Sequence, residues 1–541
     1  MGGRAGWALY KSSHSKPLLL PFRPSPNADL MKLPLLDGHS VPRWFWPLLL
    51  GLNLLLHAPF FNQPPNSVHV WRQSNTMAVA RNLYEEDMNL LRPRVDRRNE
   101  SDGVTGMQFP SYEWLVAVGY KALGFHEAIP RVVTWLIFAA GVVAFFGLVR
   151  LLTGSRWLAA VGAWGLSWSP ELFYHSINAL PDILALSASI AGLYFFLRWY
   201  QGRAGIHFWL SLGLTTLAGM TKLQYLVVGF PIAVLILRDL WQRRLSWRRD
   251  AAPLVLFALV AVGCTLAWYA YAVRLIETSG LADFGLELRP ATDLGVAIKT
   301  LTHNIISDIP ELLINYGNFA LLLIGLFAIG RGRYYRSAWF GPVLVWALAL
   351  LAYHLIELRQ MSVHQYYMLP YLPVLLLPVV VGAGWLARQP RWRPVLALLF
   401  VAQPVLAFVR IAPARWMGGA REVPVELFEP ATRAALENAV PNDALCVVGP
   451  DESGCKYFYF LHKKGFGYNE SAQLFQPFVG AQPYLANCIQ RGARYLYTND
   501  TTLVASPQLQ PYLRRVIKRV GDFQVVELQS AGTQSDSSAI R

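Results

Sequence analysis

The sequence predicts a polytopic α-helical membrane protein with a small α/β domain at its C-terminal end. Three observations carry that expectation. Only 15% of the 541 residues are charged and 54% are hydrophobic, where soluble domains average about 25% charged. Mean hydropathy is +0.32, and 19 tryptophans suit helices anchored at a bilayer interface. Apolar runs of spanning length recur along residues 42–411 and give way after about 412 to short alternating segments. The same figures exclude a disordered chain, a collagen and a disulfide-stapled mini-protein.

Residues 1–41 carry Arg4, Lys11, Lys16, Arg23 and Lys32 without an apolar stretch long enough for a cleavable signal, so they read as a cytoplasmic leader. Met31 opens MKLPLLDG, a more ordinary bacterial start. Apolar stretches then predict about eleven helices: 43–61, 129–151, 157–174, 183–199, 207–221, 223–240, 251–274, 310–330, 338–357, 366–386 and 395–411. The net charge is +15, and its arginines cluster in the short breaks: Arg238, Arg243, Arg244, Arg248 and Arg249; Arg331, Arg333 and Arg336; Arg388, Arg391 and Arg393. That is the positive-inside pattern, which sets the N-terminus in the cytoplasm. A nucleic-acid footprint would be one basic face on a soluble domain, so nucleic acid is excluded as a partner.

With that orientation, residues 62–128, 275–309 and everything after about 412 face outward. The C-terminal segment 412–529 predicts strands at 444–451, 493–500 and 523–529. Helices are expected through Lys464, near 475–491, and after Pro511 over Arg514, Arg515, Lys518 and Arg519. GPDESG (449–454) lacks the spacing of a phosphate loop. Cys264 reads as packing within a span, and one disulfide is expected among Cys446, Cys455 and Cys488. The Ser-rich tail 530–541 reads as disordered.

The outer loop 62–128 holds the unusual chemistry. A helix from Thr76 to Leu91 puts Met77, Ala80, Tyr84 and Met88 on one face and is expected to lie along the membrane surface. Asp96, Asp102 and Glu113 are outward carboxylates, and a carboxylate is a usual general base. Asp102-Gly103 reads as a turn. Asp96, flanked by Arg94, Arg97 and Arg98, is either an ion-paired strut or a base held by those arginines. Glu113 lies one step into an apolar helix, where an unpaired carboxylate is costly. Ionisable residues recur at the outward ends of later spans: Arg131, Asp182, Lys222 and His364, with Tyr366 and Tyr367. Each alone reads as snorkelling, capping or an aromatic belt. Together they form a cationic patch that suits a phosphate at the membrane surface.

These residues carry a resemblance. AVARNLY (78–84), FPSYEWLVAVGYKALG (109–124), IPRVVTWL (129–136), LPDILAL (180–186), Thr221-Lys222 and HQYYMLPYLP (364–373) form an ordered set. That set resembles the GT-C-fold glycosyltransferases of family 39 and its relatives, which include protein O-mannosyltransferases and the lipid A aminoarabinose transferase. The resemblance covers roughly residues 42–411. It implies transfer of a sugar from a polyprenyl-phosphate donor to a lipid, glycan or protein acceptor outside the bacterial cytoplasmic membrane. The chain departs from the family at two places. Arg72 and Gln73 stand where the family has an acidic pair, and Met107-Gln108-Phe109-Pro110 stands for its acidic-lysine-proline element.

The expected mechanism is a single inverting displacement with Asp96 as base and Glu113 and His69 in reserve. Arg72, Lys222, His364, Tyr366 and Tyr367 hold the donor phosphate, while Gln73, Arg131 and Asp182 orient the pocket. No cofactor or metal is required if these cations suffice, although a carboxylate-bound divalent ion is an open alternative. The rival class is a lipid or sugar flippase, which would place its ionisable groups near the midplane in paired halves. A membrane scaffold would leave the one-sided patch unexplained.

Overall fold

The computed structural model describes residues 41–281, 289–291, 293–417, 422–469 and 481–531. The expected leader, residues 470–480 of the C-terminal segment and nearly all of the expected tail lie outside the described residues. The helices in order are α1 (Phe45–His57), α2 (Val70–Glu85), α3 (Ser111–Leu123), α4 (Ala128–Thr153), α5 (Arg156–Ser167), α6 (Pro170–His175), α7 (Pro181–Gly202) and α8 (Gly205–Thr221). They continue with α9 (Gly229–Trp241), α10 (Trp247–Ser279), α11 (Leu294–His303), α12 (Asn315–Arg331), α13 (Phe340–Ile356), α14 (Leu358–Met361), α15 (Leu372–Ala387) and α16 (Arg393–Ile411).

Among the described residues, six helical segments are long and apolar enough to cross a bilayer. A seventh exists if the pair Leu294–Leu313 and Asn315–Arg331, bent by 115°, is one span. The other segments expected to span are shorter helices. The stretch 157–174 divides at Trp168-Ser169, because Pro170 can start a helix but not continue one. α8 stops at Lys222, whose backbone is extended (φ −155°, ψ 114°). α1 and α13 are apolar but short.

The outer loop differs from the surface helix expected at Thr76–Leu91. α2 ends at Glu85 and is buried on nearly every side. Met77, Ala78 and Ala80 pack toward the C-terminal domain's Phe458, while Val79 and Leu83 pack against Val95, Met107 and Ala117. The helix with a one-sided exposed apolar face is α3, which shows Leu115, Val118 and Leu123 and buries Tyr112, Glu113, Val116 and Tyr120. Its 13 residues reach only about 20 Å at 1.5 Å per residue. That is short of the roughly 30 Å hydrocarbon core, so α3 suits the interface. Asp102-Gly103 is a turn: Asp102 Oδ1 accepts from Val104 N at 3.1 Å, and Gly103 takes φ +82°.

Beyond the helical part come α17 (Val425–Phe428), α18 (Pro430–Glu437), β1 (Leu445–Val448), α19 (Lys456–Leu461), β2 (Lys464–Gly467), α20 (Ala481–Gln490), β3 (Tyr495–Thr498), α21 (Thr501–Ala505), β4 (Leu513–Val520) and β5 (Phe523–Leu528). The strands form one mixed sheet in the order β2-β1-β3-β5-β4, parallel over the first three and antiparallel over the last three. Two expected helices are corrected. Lys464 opens β2 rather than ending a helix. The arginine-rich segment after Pro511 is β4, paired to β5 across Gly521-Asp522, with Arg514 and Arg515 both on Glu527. Pairing with a neighbouring strand overrode the local charge pattern.

The expected disulfide does not form; all four cysteines are free thiols. Cys446 packs with Phe458 on one side of the sheet, whereas Cys488 packs with Val447 and Leu496 on the other. Cys455 Sγ instead meets Trp71 O at 3.2 Å. Cys264 is exposed rather than packed, on a helix that also exposes Leu259, Val262 and Leu266. GPDESG works as a cap: Asp451 Oδ1 accepts from Ser453 N and Oγ, and Oδ2 from Tyr457 N.

The sheet is tied to the outer loop along β2. Arg98 N donates to Gly465 O at 2.7 Å, and Gly465 N donates to Asp96 O at 3.2 Å. His462 adds a clasp, with Nε2 2.8 Å from Glu85 and Nδ1 2.9 Å from Glu437. Carboxylates on both ring nitrogens call for an imidazolium. Burial opposes that charge, but the two hydrogen bonds outweigh it and raise the His462 pKa. The clasp is therefore fully present below the ordinary histidine value of 6.5 and weakens as pH rises through the raised value. The imidazolium also carries the Glu85 carboxyl, against its burial, down to about 2. The protection of residues 462–467 against hydrogen exchange, relative to the intrinsic rate at each pH, is expected to fall between pH 6 and pH 9, by about tenfold per 1.4 kcal/mol lost. Equal rates in wild type and His462→Gln at both values would refute the clasp.

Candidate active site

The polar centre of the protein is built where several helices end on one face. α7 begins at Pro181-Asp182 and its antiparallel neighbour α8 ends at Lys222, so the two side chains meet, with Lys222 Nζ 3.5 Å from Asp182 Oδ2. The ammonium also lies 5.0 Å from the Tyr367 ring centre and 5.8 Å from that of Tyr366, within cation–π range. Asp182 sits in the first turn of α7, where the helix dipole favours a carboxylate.

α2 contributes from its N-terminal end. Ser67 (φ 69°) and His69 (φ 61°) both adopt left-handed backbone conformations, which cost a non-glycine residue of order 1–3 kcal/mol and persist only where the surroundings enforce them. The enforcement is visible. The His69 ring lies 5.1 Å from His364, 4.9 Å from Tyr366 and 6.2 Å from His175, and its backbone N–H is bound by the Glu422 carboxylate. Burial first, and then the neighbouring His175, hold the His69 pKa down at about 3. His364 is held at about 4 by burial and by Lys222. Both imidazoles are neutral at physiological pH.

One turn into α2, Arg72 is buried beside Glu113, which lies in the first turn of α3. Gln108 Nε2 donates to Glu113 Oε1 at 3.2 Å. Burial pushes the Glu113 carboxyl up to about 7 against the pull of Arg72 and Lys222. Arg131 and Gln73 instead hold the surrounding chain. The Arg131 guanidinium donates to Gln63 O, Pro64 O and Asn178 Oδ1 at 2.8–3.0 Å. Gln73 Nε2 reaches Asn66 O and the Tyr174 hydroxyl, both at 3.5 Å.

The structure therefore gathers His69, Arg72, Glu113, Asp182, Lys222, His364, Tyr366 and Tyr367 and sets Arg131 and Gln73 beside them. Asp96 is elsewhere. Its oxygens accept from Arg81 Nη2 and Asn82 Nδ2, both at 2.8 Å, and its backbone carbonyl holds β2. Of the two readings of Asp96, the geometry gives the strut. Both carboxylate oxygens are engaged by Arg81 and Asn82 rather than by the flanking arginines, and none of the gathered site residues pairs with them. Sequence reasoning missed Glu171, His175 and Arg415, which join the cluster through His69. The spacing Glu-x-x-x-His behind Pro170 was the available signal.

Arg72 and Lys222, neutral imidazoles and tyrosine rings, with Asp182 and Glu113 beside them, make a site suited to an anion. Among the described residues no three His, Cys, Asp or Glu side chains gather as metal ligands.

Comparison with known structures fits this arrangement. Two crystal structures of ArnT from Cupriavidus metallidurans, apo and bound to undecaprenyl phosphate, align with TM-scores of 0.62 and 0.63. They share 14% and 16% identity, covering 89% and 90% of this chain and 97% and 98% of theirs. The fold is GT-C. A mycobacterial arabinofuranosyltransferase, AftD, aligns at TM-score 0.52 and 16% identity over 92% of this chain and 42% of its own. Residues 108–268 of this GT-C chain match the family model described as dolichyl-phosphate-mannose-protein mannosyltransferase. That stretch contains Glu113, Asp182 and Lys222. No curated protein matches the sequence. A GT-C fold makes the chain a multi-pass membrane protein, and its polar centre sits at helix ends rather than halfway along the spans.

Proposed function

We propose that this protein is a membrane glycosyltransferase that moves a sugar from a polyprenyl-phosphate donor to an acceptor outside the bacterial cytoplasmic membrane. The observation that carries the reading is the gathering of Arg72, Lys222, His364 and Tyr366 at one set of helix ends, Arg72 and Tyr366 buried and Lys222 and His364 half-buried. Guanidinium and ammonium groups recognise phosphate oxygens through charge-assisted hydrogen bonds, and a phosphate monoanion on a lipid presents such oxygens at the membrane surface. The undecaprenyl phosphate bound by ArnT, a protein of the same fold, supports the same ligand class.

An acceptor nucleophile attacks the anomeric carbon from the face opposite the phosphate, and the C–O bond breaks in one inverting displacement. Negative charge grows on the departing phosphate, where Lys222 and Arg72 stabilise it most. Asp182 fixes Lys222. Glu113, among these cations, lies on the leaving-group side, where its protonated form donates a hydrogen bond to a phosphate oxygen. The two cations supply the charge a divalent metal would otherwise bring, so activity is expected to survive chelators.

The test is a panel of polyprenyl-phosphate monosaccharides given to the purified protein in detergent. Release of free polyprenyl phosphate with one sugar, lost in Arg72→Ala, supports transfer and names the donor. No turnover, with labelled lipid equilibrating across proteoliposomes, would instead make the protein a flippase. The Glu113 role has its own readout. kcat/KM is expected to fall as pH rises through about 7, where the carboxyl ionises beside the phosphate. In kcat that limb moves upward, because bound phosphate favours the protonated form. Glu113→Gln keeps a donor and should remove the limb while retaining most activity. A Glu113→Gln enzyme with no activity would make Glu113 the base instead.

A further inference from the structure

A second polar group adjoins the cationic wall. α6 opens at Ser169, whose side chain accepts from Leu172 N, with Pro170 as its first residue. This short helix sets Glu171 and His175 four residues apart on one face. His175 Nε2 lies 3.1 Å from Glu171 Oε1, and Arg415 Nη2 approaches Glu171 Oε2 at 3.9 Å. Both members of the pair are buried, at 0% and 1% exposure. The other ring nitrogen, His175 Nδ1, makes no hydrogen bond within the protein, nor do His69 Nε2 and Arg415 Nη1. A histidine kept only as a strut at such depth would have both nitrogens satisfied. One oriented nitrogen and one open nitrogen is the arrangement of a base and its orienting carboxylate.

Placement supports that chemistry. Tyr366 neighbours both groups, its ring centre 5.7 Å from the His175 ring and 5.8 Å from Lys222 Nζ. The remaining partners differ. Lys222 has Asp182 and Tyr367, whereas His175 has Glu171, Tyr174 and His69. In-line displacement puts the attacking group and the leaving group on opposite faces of the sugar, so the base belongs at the end away from the phosphate-holding cations.

We propose that Glu171 and His175 form the proton-accepting pair of the transfer reaction, with Tyr366 as the floor beneath the sugar between them and Lys222. This rests on the transferase reading above. As the acceptor's hydroxyl oxygen bonds to the anomeric carbon, the electron pair of the breaking C–O bond leaves with polyprenyl phosphate. The hydroxyl proton passes to His175 Nδ1. Glu171 accepts a hydrogen bond from Nε2–H and balances the imidazolium, which then returns the proton to water. His175 is the catalytic residue of the pair and Glu171 a positioning residue. The charged or titratable groups facing His175 are Glu171, His69, Tyr174, Tyr366 and, through Glu171, Arg415.

The test compares wild type, His175→Gln, Glu171→Gln and Glu171→Asp with the donor that wild type uses, measuring transfer and binding of undecaprenyl phosphate. His175→Gln should lower kcat by about 10²- to 10⁴-fold, the range for a lost general base, with undecaprenyl phosphate binding unchanged. Glu171→Gln should lower kcat without changing donor KM, and Glu171→Asp should recover part of the loss. Retention of more than about a tenth of wild-type kcat by His175→Gln would overturn the pair. Loss of undecaprenyl phosphate binding in both neutral variants would overturn it too, by making the pair structural. A wild type that binds undecaprenyl phosphate yet transfers no sugar from any donor would sink the transferase reading and the pair with it.

Discussion

Replacing Lys222 with methionine is expected to lower sugar transfer by about 10²- to 10³-fold, the cost of removing one preorganised stabiliser of developing negative charge. The substitution keeps the unbranched stem that crosses the Tyr366 and Tyr367 rings and removes only the ammonium. Asp182 is then left buried without its cation, so part of the loss will appear as a poorly ordered site. The double variant Lys222→Met with Asp182→Asn separates the two effects. If the ammonium acts on the phosphate, the double variant stays as slow as Lys222→Met. If Lys222 serves only to neutralise Asp182, the double variant recovers toward wild type. The loss should lie mainly in kcat, because the phosphate carries more charge as it departs than in the bound donor.

The second large effect concerns stability, at the crossing of α12 and α15. A Cβ on Gly325 would stand 1.9 Å from Pro378 O, and one on Gly382 would stand 2.1 Å from Leu321 O. Both obstructions are backbone atoms of the facing helix, so no side-chain rotation relieves them. Two glycines allow the helix axes to approach, and in a bilayer such packing takes the place of the hydrophobic effect between helices. Alanine at either position would gain about 1 kcal/mol of helix propensity over glycine. Overpacking costs typically about 1–3 kcal/mol and sometimes more. Here the backbones must separate, so the upper end is expected. Gly382→Val should lower the thermal midpoint in detergent by several degrees and reduce the monodisperse yield. α15 continues directly from the turn that carries Tyr366 and Tyr367, so separation of the helices also displaces the site. An unchanged midpoint in both Gly325→Ala and Gly382→Val would refute the close crossing.

Much of the candidate site was legible in the sequence because a membrane makes polar residues conspicuous. Lys222, Asp182, Arg131 and His364 stand at the ends of apolar runs, where an ionisable side chain is costly enough to need a reason. Their grouping on one face followed from counting spans. Helix ends were less legible. The runs at 157–174 and 310–330 read as continuous, but Pro170 divides the first, and the second begins inside a segment that bends by 115° before Asn315. The arginine-rich strand β4 was read as a helix, since alternation over so few residues says little until a partner strand lies beside it.

The roles of the carboxylates were not legible at all. Asp96 and Glu113 are both outward acids near the bilayer, and nothing local separates a strut from a site residue. Contact separates them: Asp96 meets Arg81 and Asn82 beneath the sheet, while Glu113 is buried beside Arg72 and Gln108. Glu171 lay inside the stretch 157–174 read as a transmembrane helix and His175 just past its end, and the break before Pro170 is what turns them toward His69. By itself the sequence determined the membrane class, the recurrence of apolar spans and the cationic character of one face, because hydropathy and charge are sums over neighbours in the chain. Only the tertiary structure decided which charges meet, because His69, His175, Lys222 and His364 are far apart in sequence and the energy of a charge depends on what lies within a few ångströms of it.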